Sequence, residues 1–198
     1  MPAELKAKLQ VVQLGDQQVV TEDNVHHFTY KNLSLKNKLN TSINKEYVKQ
    51  HIQNKEFIFH PFWVAKTLIV AERPPFPPKK TPNVIFVDAV SGYRGVFSKI
   101  PGLHELEVDE DQLVEMKIDR KNSAHLYIKD VQEKQINRSY ILKKPKHEVL
   151  ELLPVYLPMW KVTVQSEFIN DTVYINANTG ESEKYLSERW YNRKDLLL

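Results

Sequence analysis

The 198-residue chain contains no cysteine. That removes disulfide frameworks, zinc ribbons and thiol nucleophiles together. Glycine is scarce, five residues in all, which leaves little material for the loops that cradle phosphates. No Gly-x-x-x-x-Gly-Lys, Gly-x-Ser-x-Gly or His-Glu-x-x-His occurs, so nucleotide-loop, serine-hydrolase and zinc-protease signatures are missing. No window approaches the roughly 18 apolar residues that a membrane-crossing helix needs. The start, Met1-Pro2-Ala3-Glu4-Leu5-Lys6, has no signal-peptide run. A soluble, cytoplasmic protein is expected. Charge is also near balance: 28 Lys and Arg against 25 Asp and Glu leave +3, too mild for a dedicated nucleic-acid binder. No cofactor, metal site or catalytic residue is expected.

What the chain does contain is one pattern twice. Phe59-His60-Pro61-Phe62-Trp63 opens a stretch that closes Val87-Asp88-Ala89-Val90-Ser91-Gly92, and Tyr156-Leu157-Pro158-Met159-Trp160 opens another that closes Ile175-Asn176-Ala177-Asn178-Thr179-Gly180. Each reads aromatic-x-Pro-x-Trp, an apolar strand, a connection, a second apolar strand, then Asp/Asn-Ala-x-Ser/Thr-Gly. Gly92 follows Trp63 by 29 positions and Gly180 follows Trp160 by 20, and the extra nine fall in a proline-rich connection. A large ring at each strand start closes one end of a core. Gly92 suits a positive backbone angle.

Gly15-Asp16 between apolar runs predicts a hairpin, and Val25 to Leu35 a strand starting at His26-His27. Adjacent strand residues face opposite ways, so these histidines read as surface residues. Ser42 or Asn44 caps a short helix over about residues 43–55. In Arg73-Pro74-Pro75-Phe76-Pro77-Pro78-Lys79-Lys80-Thr81-Pro82, five of ten residues are proline, which predicts an extended polyproline loop without ladder pairing. Pro101-Gly102 marks a boundary. Leu106 to Ile118 reads as a solvated acidic linker, because it lacks the spacing of a calcium loop. Asn122 or Ser123 caps a second helix running to about Tyr140, with Ala124, Tyr127, Ile128 and Val131 on one face. A second, tighter hairpin turns at Asn170-Asp171. The charged, aromatic tail from Glu181 is expected to form a helix on the sheet.

The order helix, Tyr-x-Pro-x-Trp strand, strand and Asn-Ala-Asn-Thr-Gly resembles the PepSY domain over about residues 119–183, and less closely over 43–95. It is also similar to uncharacterised bacterial proteins with such a strand and turn. The resemblance implies a helix followed by an antiparallel hairpin, and a binding or inhibitory role, often toward peptidases at the cell envelope. It brings no catalytic residues. The expected fold class is therefore α+β: two tandem helix-plus-hairpin units, residues 1–101 and 102–198, with a β-rich N-terminal segment. The expected function is a non-enzymatic binding or regulatory module for a protein or peptide partner. Its contact is the proline loop, where Arg73, Phe76, Lys79 and Lys80 offer charge and an aromatic anchor on a segment that loses little entropy when bound. Two other classes stand beside it. One is a hydrolase, metal-dependent or otherwise, with a site assembled from the dispersed histidines (26, 27, 51, 60, 104, 125 and 147). The other is nucleic-acid binding through sheet aromatics such as Phe86, Tyr174 and the tryptophans.

Overall fold

A computed structural model describes residues 7–15, 17–99, 102–141 and 143–197. Asp16 and Pro101, on which the first expected turn and the expected boundary fall, lie outside them. The strands are β1 (Lys8–Leu14), β2 (Ile52–Arg73), β3 (Phe76–Asp88), β4 (Arg94–Val96), β5 (Leu103–Asp109), β6 (Lys146–Gln165) and β7 (Asn170–Asn176). The helices are α1 (Val25–Asn32), α2 (Leu35–Lys38), α3 (Lys45–His51), α4 (Lys121–Val131) and α5 (Lys184–Asn192). A π turn, Gln132–Ile136, and a 3-10 turn, Asn137–Ser139, continue α4.

The tandem helix-plus-hairpin expectation is overturned. The protein is built on a mixed seven-stranded sheet, 43% strand and 27% helix, in the order β4-β3-β2-β6-β1-β5 with β7 also paired to β6. The N-terminal part is not β-rich either, since β1 is followed by three helices. The chain folds as two compact units, each drawn from three stretches. One takes residues 1–60, 103–114 and 156–188, the other 61–102, 115–155 and 189–198.

In the first unit α1 and α3 cover the β6–β7 hairpin. Val20, Val25, Leu33, Ile43 and Val48 pack against Trp160, Val162, Val164, Val173 and Ile175. The expected strand over Val25 to Leu35 is helical because its buried residues, Val25, Thr29 and Leu33, recur every four positions. Asn44 caps α3 by accepting a hydrogen bond from Tyr47 N at 2.9 Å. The first residues of the expected acidic linker, 106–109, belong instead to strand β5, antiparallel to β1 with Val11 opposite Leu106. Leu106 and Val108 join Val11 and Phe59 in a small core, while Glu107 faces Lys8 at 3.1 Å.

In the second unit α4 covers the β2–β3 hairpin. Ala124, Tyr127, Ile128 and Val131 pack against Trp63, Ala65, Ile85 and Val87. Each helix therefore covers the hairpin of the other sequence copy. The physical cause is strand length. β2 and β6 hold 22 and 20 residues, which carries each hairpin away from the helix that precedes it in the chain.

The two copies nevertheless build the same frame. Trp63 Nε1 donates to Ile118 O at 2.7 Å, and Trp160 Nε1 to Val20 O at 3.0 Å. Ala89 N donates to Pro61 O and Ala177 N to Pro158 O. Asp88 Oδ1 accepts from Val90 N and Ser91 N, as Asn176 Oδ1 does from Asn178 N and Thr179 N. Gly92 and Gly180 close these turns at φ +78° and +73°, where a side chain is disfavoured.

Candidate functional site

The proline-rich stretch is not a polyproline loop. It forms the outer end of the β2–β3 hairpin, whose ladder runs from Phe62 opposite Asp88 out to Arg73 opposite Phe76. Two features let strands carry so many prolines. Ala71 faces Lys79 and Arg73 faces Phe76, so Pro77 and Pro78 together stand opposite Glu72 in a bulge, where the ladder is interrupted anyway. Beyond Val84 nothing among the described residues pairs with the outer side of β3, and edge positions tolerate a missing donor. A cis peptide joins Pro74 and Pro75 at the turn.

The hairpin end stands clear of the core, with residues 72–80 all exposed. Phe76 is 68% exposed. The structure thus brings Arg73, Phe76, Lys79 and Lys80 onto one hairpin tip. Arg73 donates to Pro77 O at 3.4 Å, and no carboxylate among the described residues pairs with Arg73, Lys79 or Lys80. Glu72 is held elsewhere: Lys143 bonds it directly and Lys146 lies at 3.6 Å. The hydrogen bond from Lys143, with the charges of Lys143 and Lys146, holds the Glu72 carboxyl below its ordinary range. Lys143, Lys144 and Lys146 thus add to the basic character of this end, a contribution the sequence reading left in a separate turn. Ile141, 95% exposed, stands two residues before Lys143.

Other positions with chemical potential are committed to structure. His60 is fully buried, and His51 contacts the Tyr47 carbonyl at 2.8 Å. His147 meets Asn137 Oδ1 at 2.9 Å, and burial lowers its pKa. Among the described residues no three His, Asp or Glu side chains gather as metal ligands would. Trp63 and Trp160 are buried at 6% and 7%, and Phe86 packs on Phe62, Tyr93 and Phe97. The tryptophans offered for base stacking are therefore core, whereas Phe86 and Tyr174 are half-buried.

Two polar clusters lie near the turns. In the second unit Arg94 bonds Asp130 Oδ2 at 2.7 Å and donates to the carbonyls of Gly92 and Asp195. Burial raises the Asp130 pKa, but bonds from Lys134 and Arg94 outweigh it and leave the carboxyl below its ordinary value. In the first unit Asn176 Nδ2 donates to Glu183 Oε1 at 2.8 Å. Burial lifts the Glu183 pKa, only partly offset by that bond and by His60. Of two clefts, one of about 420 Å³ lies between Lys121, His125 and residues 149–153. The other, about 280 Å³, is lined by Glu56, Phe57, Ile58, Asp109, Asp111 and Gln112. In the first, Glu151 is paired with Lys66 at 2.6 Å, and neither cleft joins a nucleophile to a base.

Comparison with family models, with curated proteins and with solved structures found no match to the chain. Among the described residues no helix is long and apolar enough to cross a membrane.

Proposed function

We propose that this protein is a non-enzymatic binding or regulatory module of the cytoplasm that engages its target through the tip of the β2–β3 hairpin. One observation carries this reading. Phe76 is exposed at the apex while Arg73, Lys79 and Lys80 around it have no carboxylate partner among the described residues. An exposed aromatic contributes most when a partner covers it, and unpaired cations select the sign of that partner. A paired backbone holds the tip, so little conformational entropy is lost on docking. The resemblance to PepSY domains favours the same class of function, with a protein or peptide as the target it implies.

Photocrosslinking tests the contact without presuming the target. Benzoylphenylalanine placed at position 76 is expected to form adducts in cells. The same group at Leu39, a residue more exposed than Phe76 (82%), is expected to form none. Equal labelling from both positions, or none from position 76, removes the tip as the contact.

A further inference from the structure

We infer that the target of this tip is an anionic membrane surface, which the hairpin enters to the depth of its apex. The inference rests on the tip being the contact, and it comes from the composition and backbone of the apex itself. Pro74-Pro75-Phe76-Pro77-Pro78 is five residues long with no charged or hydrogen-bonding side chain. Four of the five also lack a backbone N–H. The fifth, Phe76, is the ladder partner of Arg73. Unsatisfied backbone N–H and C=O groups both make irregular chain costly in a lipid environment, and the prolines remove the N–H part of that cost. This apex has a single N–H to strip of water, and in Phe76 it presents an apolar side chain of the kind that enters the headgroup–acyl boundary.

The surrounding charge fits the same surface. Residues 72–80 and 143–146 hold six cations against the single carboxylate of Glu72, a net +5. The whole chain is only +3, so the remainder of the molecule is at −2. The positive charge is therefore concentrated behind the apolar apex, at the height where lipid phosphates would lie. Arg73 and Lys79 immediately flank the five apolar residues, and Lys80 follows. The cytoplasmic leaflet is the anionic one, and it attracts each nearby Lys or Arg within a Debye length. A folded acidic protein would satisfy the cations, but it gives no reason for an apex without donors. One aromatic and a few cations make a weak, reversible anchor, suited to recruitment rather than permanent attachment.

The test is cosedimentation of the full-length protein with vesicles of phosphatidylcholine alone and of phosphatidylcholine mixed with phosphatidylserine, at low and physiological salt. Binding is expected only with the anionic lipid and is expected to fall with salt. Phe76→Ser should weaken it by about tenfold to a hundredfold, the cost of losing one buried aromatic. Lys79→Ala with Lys80→Ala should weaken it by about twenty-five-fold, at roughly fivefold for each charge near the surface. Leu39→Ser should change nothing, and thermal melting should be unaltered in all these variants because every site is exposed. Phe76→Trp adds a depth readout, since its emission should shift blue and be quenched by brominated lipid. The three native tryptophans are buried and supply a constant background. No vesicle binding at low salt, or binding indifferent to these variants, overturns the inference. If position 76 crosslinks a protein while vesicles are ignored, the tip remains the contact and the membrane is wrong. An oligonucleotide bound with the same dependence on Phe76 overturns it equally. If neither crosslink nor vesicle binding occurs, both readings fall.

Discussion

The exchange of helices between the two sequence copies makes a prediction that a tandem arrangement reverses. Ile128 lies on α4 in the second half of the sequence and is 1% exposed. It packs in one core with Trp63, Ile85 and Val87 from the first half. Ile128→Ala removes a buried branched side chain and leaves a cavity, which costs about 3 kcal/mol. If the opening reaction of that unit is weakened by this amount, its amides should exchange roughly a hundredfold faster. Native-state hydrogen exchange with fragment resolution reads the effect. The expected losses of protection lie in residues 61–73 and 76–88, and the Trp63 indole proton should exchange faster too. Residues 156–165 and 170–176 should change far less, although they belong to the same sequence copy as α4. The mirror substitution is Val48→Ala on α3, fully buried among β6–β7 side chains. It should cost about 2 kcal/mol and deprotect 156–176 instead. If Ile128→Ala opens 156–176 and spares 61–88, the helices belong to their own hairpins and the interleaving is refuted.

Glu183→Gln isolates a carboxyl whose pKa lies above the ordinary 4.5 because it is buried, with Asn176, His60 and Glu181 around it. A raised folded pKa means the folded form holds the proton longer. The stabilisation is complete below 4.5 and declines as pH rises from there to the folded value. The glutamine retains the contact with Asn176 and has no charge to bury, so its melting temperature should gain on wild type across that rise; parallel pH profiles would refute this. Gly180→Ala places a Cβ 2.2 Å from Phe28 Cε1 at φ +73°. Left-handed strain and overpacking together should cost about 2–4 kcal/mol in a urea titration. Gly95→Ala, with ordinary φ and a 3.2 Å approach to Phe86, should cost less than half as much. Arg94→Met breaks a pair whose side chains are only 13% and 14% exposed and removes the bond to Asp195 O. It should lose about 3 kcal/mol and make residues 193–197 newly sensitive to limited proteolysis.

Local chemistry was legible in the sequence; partnership between segments was not. The two Trp–Gly frames could be read because each is written in consecutive residues whose roles are local: a proline, an indole, an Asx turn, a glycine at positive φ. The stripe Ala124, Tyr127, Ile128, Val131 likewise named the buried face of α4. Which hairpin that face covers depends on how far β2 and β6 run before turning, and strand length has no marker when prolines sit inside the strands. Pro61 and Pro158 looked like starting points. Both are interior to strands that began several residues earlier. The same signal misled at the tip, where five prolines argued against a ladder and a bulge allowed one. At the second hairpin Asn170 and Asp171 looked like a turn but pair with Gln165 and Val164, because the turn is closed one step earlier by Ser166 N donating to Ile169 O. Val25 to Leu35 was misread for a different reason, since alternate and every-fourth spacing coincide over so short a run.

Duplication also separates what the frame needs from what it does not. Both copies need the indole bonded to a backbone carbonyl, the Asx turn and the glycine, and both have them. Their common residues are thereby explained by stability alone. The copies part company beyond that frame. β6 and β7 end at Gln165 opposite Asn170, with a four-residue turn. β2 and β3 continue well past the equivalent level, to Arg73 opposite Phe76. The extension adds no buried residue from 72 to 80, so hydrophobic burial does not account for it. Folding gains little from nine ordered, exposed positions, of which the five that are not proline each cost about 1–2 kcal/mol of backbone entropy to fix. The contact proposed for the tip would account for that expenditure. The residues concentrated there, one bare aromatic within four prolines and cations with no carboxylate partner among the described residues, fit an interaction with an apolar, negatively charged boundary.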